Sequence, residues 1–173
     1  MKLWPATIGA MLVAAGCVAV LQPSPLTATA ELRNARGQVV GAATLAQVTN
    51  GVRIVVTVSG LPAGDKAVHI HEVGRCDPPA FTSAGAHFNP TRKAHGVLNP
   101  TGPHAGDLPN MRVADDGTGR LETFNERVTL GAGWNSLLDD RRALVIHTAP
   151  DDHRTDPTGN SGPRLACGVI VKP

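Results

Sequence analysis

The chain has 173 residues, 42% of them hydrophobic but only 3% aromatic, with 19 glycines and 14 prolines. That length supports one domain with a core of ordinary size, and so much glycine and proline without a long helical run argues for short strands joined by turns. Lysine and arginine total 16 against 14 acidic residues, with no basic block, which argues against nucleic acid as a partner.

The first thirty residues read as an export segment. Lys2 supplies a minimal basic start, Trp4 to Leu21 is apolar and uncharged, Pro23 and Pro25 break the run, and Ala28-Thr29-Ala30 offers an A-x-A cleavage site. The expected organisation is therefore a signal peptide over 1–30 and a domain over 31–173. A competing site lies before Cys17, within Val13-Ala14-Ala15-Gly16-Cys17, where lipoprotein processing would leave a lipid tether at Cys17 and a short linker. Ala14 stands where a larger aliphatic is usual and the apolar run continues to Leu21, which favours the later site. Against it, cutting after Ala30 removes residues that look like the start of the first strand. An uncleaved membrane helix is the weakest reading, because the run is rich in small residues and barely long enough. Each version places the domain outside the cytoplasm, in the periplasm or at the cell surface. With Cys17 removed or lipidated, Cys76 and Cys167 remain as an even pair in an oxidising space. They form either a bridge, which the chain-entropy argument values at about 4–5 kcal/mol for so long a loop, or two buried thiols.

From Thr27 onward the pattern is one of β-hairpins. Residues 28–34 alternate weakly, Arg36-Gly37 marks a turn, and Val39 to Val48 makes a second run. Asn50-Gly51 is a two-residue hairpin signal before the β-branched stretch Val52 to Val58. Leu61-Pro62-Ala63-Gly64 turns the chain into Ala67 to His71. Residues 74–108 carry little strand or helix signal and are rich in proline and glycine. Strands resume at Asn110 to Val113, turn at Asp116-Gly117, and continue from Arg120 to Val128. After an irregular stretch over 131–140, Ala143 to His147 reads as a buried strand, a loop covers 150–163, and Leu165 to Val171 closes the chain. About eight strands and no convincing helix make this an all-β barrel or sandwich, of immunoglobulin-like architecture.

Six of the seven histidines fall into one pattern. His69 and His71 are two apart on a strand, so both project from one face while Ile70 takes the other. His87, His95, His104 and Asp107 follow within the loop-like stretch, and His147 ends a strand. Imidazoles with one carboxylate are the ligands that zinc and copper prefer. The set is too large for one tetrahedral ion and suits two ions that share a ligand. Metal bonds also explain how a loop this long and this poor in regular structure holds a shape.

Gly85-Ala86-His87-Phe88-Asn89-Pro90, His95-Gly96, His104-Ala105-Gly106-Asp107-Leu108 and Gly162-Pro163-Arg164-Leu165-Ala166-Cys167-Gly168-Val169-Ile170 resemble copper/zinc superoxide dismutases of the exported bacterial kind. The similarity runs over essentially the whole chain after the export segment. It implies an eight-stranded Greek-key barrel with long metal-binding and active-site loops, a Cys76–Cys167 disulfide, and dismutation of superoxide to dioxygen and hydrogen peroxide. By position, His69, His71, His87 and His147 would hold copper, and His87, His95, His104 and Asp107 zinc. His87, shared between the ions, and Arg164, which would attract and orient the anionic substrate, would be the catalytic residues. Asp151 would link a copper histidine to a zinc histidine. The loop between His147 and Arg164 is shorter than in animal members, so Arg92, Lys93 and Arg154 are the candidates for substrate steering. His153 has no counterpart role and is expected in solvent. The rival reading is a non-catalytic copper/zinc-binding protein on the same fold. For a homodimer, Trp134 and Phe124 are candidates either for an interface or for a satellite core.

Overall fold

In the computed structural model, which describes residues 25–173, the chain forms nine antiparallel strands and a single 3₁₀ turn over Thr82–Ala84. The strands are β1 (Thr27–Asn34), β2 (Val39–Val48), β3 (Gly51–Val58), β4 (Gly64–Lys66), β5 (Val68–His71), β6 (Met111–Val113), β7 (Gly119–Asn125), β8 (Ala143–His147) and β9 (Arg164–Val169). Their order in the sheet is β4-β6-β7-β3-β2-β1-β9-β8-β5. The two edges, β4 and β5, are halves of one extended run interrupted only at Ala67. There the Ala67 N–H donates to Ala149 O, and Ala67 O accepts from His147, both at 2.9 Å. The chain thus changes partner from β6 to β8 within one residue, and the sheet closes on itself as a barrel. This is why nine strands are found where the pattern predicts about eight: the run ending in His71 serves both edges.

Alternation sets what each strand buries. In β3, Val52, Ile54, Val56 and Val58 point into the core while Arg53 and Thr57 face out. In β8 both faces are buried. Leu144 and Ile146 join the barrel core, and Ala143 and Val145 pack outward against Phe81, Ala84 and Cys167. That outer cover is a loop stapled to β9 by the Cys76–Cys167 disulfide, whose Cα atoms are 5.7 Å apart. The bridge therefore joins the apolar contacts of Phe81 and Ala84 in holding a segment against the outside of the barrel.

The boundary after Ala30 falls inside β1, where Ala28 and Ala30 are buried and Thr27 to Ala30 pair with Ala46 to Ala43. A domain starting at 31 would forfeit half of that ladder, so the folded unit begins by Thr27; Cys17 and the apolar run lie outside the described residues. The hairpin between β2 and β3 pairs Val48 with Gly51, so its loop residues are Thr49 and Asn50, not Asn50-Gly51. Gly51 is demanded by packing instead, since a Cβ there would lie 2.5 Å from Asn125 O. Trp134 and Phe124 are 67% and 51% exposed, which removes both from any core.

Candidate metal centre

The parity of two strands places the histidines. Ile70 and Ile146 point into the barrel, so His69, His71 and His147 lie on its outer face, with His69 paired to Val145 and His71 to Ala143. The long loop covers them by docking on the free edge of β5. Ile70 N–H donates to Gly106 O (2.9 Å), Phe88 N–H to Ile70 O (2.8 Å) and Gly106 N–H to Phe88 O (2.8 Å). These bonds bring His87 opposite His71 and Asp107 opposite His69, and they remove an exposed edge. Gly106 is obligatory, because a Cβ would lie 2.2 Å from Ile70 O. The result is six buried histidines and a buried Asp107 in contact beneath one loop.

Two groups of ligand atoms emerge. The first comprises His69, His71, His87 and His147, with one donor atom from each within 4.8 Å of the others. His71 Nδ1–H donates to Gly85 O (3.0 Å) and His147 Nδ1–H to Gly162 O (3.1 Å), which leaves their Nε2 lone pairs facing each other at 3.4 Å. His69 Nε2–H donates to Asp151 Oδ2 (2.9 Å), so its Nδ1 is a lone pair, buried and without a hydrogen-bond partner. His87 Nε2 is likewise buried and unpartnered. Converging lone pairs repel and cost desolvation unless a cation sits among them. This group fits a borderline ion that accepts four imidazoles.

The second group surrounds Asp107 Oδ1, with His87 Nδ1 at 3.1 Å, His95 Nδ1 at 3.1 Å and His104 Nδ1 at 3.3 Å; the His87 and His104 Nδ1 atoms are 3.4 Å apart. A tetrahedral zinc with bonds of about 2.0–2.1 Å sets its ligand atoms about 3.3–3.4 Å apart, so these distances fit it. His69 also lies within 4.8 Å of His87, His95 and Asp107, but through proximity: its Nε2 is engaged by Asp151, and His104 is the residue that completes the shell around Oδ1. His87 alone offers a different nitrogen to each group.

The electrostatics favour neutral His69, His71, His87 and His147 and ionised carboxylates. Burial pushes the pKa of His69 down to about 3, His71 to about 2 and His147 to about 4, and lowers His87, with neighbouring imidazoles reinforcing each shift. His95 goes the other way: burial is outweighed by hydrogen bonds that its ring donates to the Asp107 and Asp151 carboxylates and by their charge, and its pKa rises to about 9. Burial would raise Asp107 and Asp151, but histidine partners and backbone N–H donors hold both well below the usual carboxylate range. Asp107 Oδ2 takes the Gly96 and His104 N–H groups, each at 2.9 Å.

Asp151 lies where the sequence places a link, with His69 Nε2 at 2.9 Å and His95 Nε2 at 2.9 and 3.0 Å from its two oxygens. By accepting both Nε2–H groups it sets both Nδ1 lone pairs toward the metal subsites. Arg164 is half-buried, its Nη1 and Nη2 donating to Phe81 O and Gly85 O at 2.5 Å each. It opens onto a cleft of about 700 Å³ that also reaches His71, His87 and His147. Of the three candidate steering cations only Lys93 lines this cleft, where Glu72 and Asp156 oppose it.

Three further residues shape the site without having been anticipated. Asn110 brackets the Asp151 backbone, accepting its N–H on Oδ1 and donating Nδ2–H to its carbonyl, both at 2.8 Å. A polar residue in a strand-like context carries no signal for that role. Gly159 (φ +64°) leaves room for Asp151, whose Oδ1 would lie 1.8 Å from a Cβ there; its place in a glycine-rich loop was legible, its reason was not. His153 is not in solvent as expected. Its side chain is only 20% exposed, because its left-handed backbone (φ 60°) folds it back against Asp151.

A closed antiparallel barrel carrying two adjacent groups of buried metal-ligand side chains defines a metal-binding β-barrel protein. The family model described as copper/zinc superoxide dismutase (SODC) matches residues 39–170. The superoxide dismutase (Cu-Zn) 2 of Aquifex aeolicus is 52% identical over 148 residues, 84% of this chain and 86% of that protein. The superoxide dismutase (Cu-Zn) of Caulobacter vibrioides is 43% identical over 148 residues, 83% and 85% of the two chains. A crystal structure of a SOD-like protein from Bacillus subtilis superposes with a TM-score of 0.78 at 39% identity, covering 82% of this chain and 96% of that one. The chain belongs to the copper/zinc superoxide dismutase family and is an oxidoreductase of that type, with copper and zinc as its metals.

Proposed function

We propose that the protein dismutates superoxide at a copper ion held by His69, His71, His87 and His147 and linked through His87 to a zinc held by His87, His95, His104 and Asp107. The observation that carries this reading is His87: its Nδ1 belongs to the group around Asp107, while its buried Nε2 belongs to the other group. An imidazole gives up both ring protons only between two cations. When bound, copper supplies the one-electron couple by which two superoxide ions and two protons become dioxygen and hydrogen peroxide.

The chain's own residues do the rest. Arg164, pinned by two carbonyls, presents a fixed positive charge beside His71, His87 and His147, which draws a small anion down the cleft and orients it. His87 also lines the cleft, and its Nε2 would hold a proton for the departing peroxide in the state in which that nitrogen is not a metal ligand. Asp107, with three histidines and two N–H groups around it, keeps the His87 ring fixed from the Nδ1 side. Zinc's four protein ligands leave no open position, as in a structural site.

Export is part of the same proposal: a signal over the first residues, with or without a lipid at Cys17, would deliver the chain to the periplasm or cell surface. The Cys76–Cys167 bridge supports an oxidising compartment, and the mass of the mature N-terminus tests it. The activity is tested by loading purified protein with copper and zinc and measuring metal stoichiometry and superoxide consumption. One copper and one zinc per chain with rapid turnover is expected, and His87→Ala should fold but lose turnover. Tight metal binding without turnover would favour a metal-holding protein instead.

A further inference from the structure

The seventh histidine, His153, also lies against Asp151, its Nδ1 3.3 Å from Oδ2. We propose that His153 is a positioning residue that holds the Asp151 carboxylate in the orientation serving both metal subsites. The hydrogen-bond network assigns its proton. The Asn110 amide can sit only one way, because Oδ1 must accept the Asp151 N–H and Nδ2 must donate to the Asp151 carbonyl, each at 2.8 Å. Nδ2 is therefore the group facing His153 Nε2 at 3.2 Å, and a nitrogen that accepts carries no proton. Neutral His153 thus bears its hydrogen on Nδ1. That buried atom has no well-aligned hydrogen-bond partner, and Asp151 Oδ2 lies 3.3 Å from it.

The backbone of His153 acts in the same direction. Its N–H donates to Asp151 Oδ1 at 2.7 Å, and its carbonyl accepts from Leu98 N–H at 2.9 Å. Gly96, next to His95, packs so closely on that carbonyl that a Cβ would lie 2.2 Å away. Residue 153 therefore ties the loop carrying His95 to the loop carrying Asp151, while its side chain faces the carboxylate oxygen that also takes the His69 N–H. A shift of that oxygen would turn His69 and His95 together, so its effect reaches both metals.

The inference rests on the metal assignment above, so the readout is metal affinity and spectrum rather than turnover. The left-handed backbone at 153 is tolerated by glycine and asparagine, and asparagine alone keeps a donor near the position of Nδ1. In full-length protein, zinc affinity is measured by chelator competition, and the Cu(II) EPR spectrum of copper-loaded protein reports on His69. Outer partners of metal ligands typically govern affinity by 10–100-fold; one layer further out, His153→Gly should raise the zinc dissociation constant about five- to tenfold and shift the EPR spectrum. His153→Asn should return both to within about twofold of the parent. Zinc affinity and spectrum unchanged in His153→Gly, or His153→Asn as impaired as His153→Gly, would overturn the proposal. Parent protein that binds both metals but does not consume superoxide would count against the proposed function and leave this inference standing.

Discussion

Asp151→Asn tests the logic of the centre most directly. The carboxylate accepts one N–H from His69 and one from His95, at 2.9 Å each, with both oxygens in use. An asparagine of the same shape has a single oxygen, so it can serve one histidine and must present its NH₂ to the other. That histidine then has to accept on Nε2, which moves its proton to Nδ1 and turns a metal-facing lone pair into an N–H. One subsite loses a ligand while the packing barely changes. A charge-assisted hydrogen bond contributes about 1.5–3 kcal/mol, and 1.4 kcal/mol is tenfold in affinity, so one metal should bind roughly 10–150-fold more weakly. The assay is competition against a zinc chelator and, separately, a copper chelator, with the apo fold followed by circular dichroism. If both metals bind Asp151→Asn within about twofold of the parent, the carboxylate does not set the tautomers and the reasoning fails.

The other predictions concern packing, steering and pH. Gly159→Ala would place a Cβ 1.8 Å from Asp151 Oδ1 and 2.6 Å from His95 Nε2 at a φ of +64°. The left-handed backbone alone costs about 1–2 kcal/mol, so chemical denaturation should show at least that loss together with weaker zinc binding; equal stability would refute it. Lys93→Gln should lower the second-order rate with superoxide about twofold at low ionic strength and leave it unchanged at about 0.5 M salt, where the screening length is a few ångströms. A deficit independent of salt would mean that Lys93 does not act through its field. For the metal-free protein, His69, His71 and His147 have folded pKa values of about 3, 2 and 4 against an unfolded value near 6.5. Below about pH 6.5 the unfolded chain binds more protons than the folded one, so stability must fall from there toward pH 4. His95, raised to about 9, has the opposite sign and loses its contribution between about pH 6.5 and 9. The urea midpoint of apo protein should therefore peak near pH 6–7, and a midpoint that rises on acidification to pH 5 would contradict the burial of these rings.

The sequence by itself determined the all-β class, the set of candidate metal-ligating side chains and the family. Period-two alternation in β3, the His69-x-His71 parity and the ordered run His87, His95, His104, Asp107 are local facts, and local patterns survive without knowledge of what packs against them. Tertiary structure decided everything that depends on which surfaces meet. Whether β4 and β5 are one strand or two rests on Ala67 meeting Ala149 and His147, which no neighbour in sequence reveals. The folded unit includes Thr27 to Ala30 because Ala28 and Ala30 find a core, although their composition also suits a cleavage site. His153 reads as a loop residue among charged neighbours. Only a left-handed backbone and the amide of Asn110 turn it toward Asp151. The candidate ligand types were written in the chain. The orientation of each ring is set by hydrogen bonds to Gly85, Gly162 and Asp151, partners 14, 15 and 56–82 positions away that only the closed barrel brings within reach.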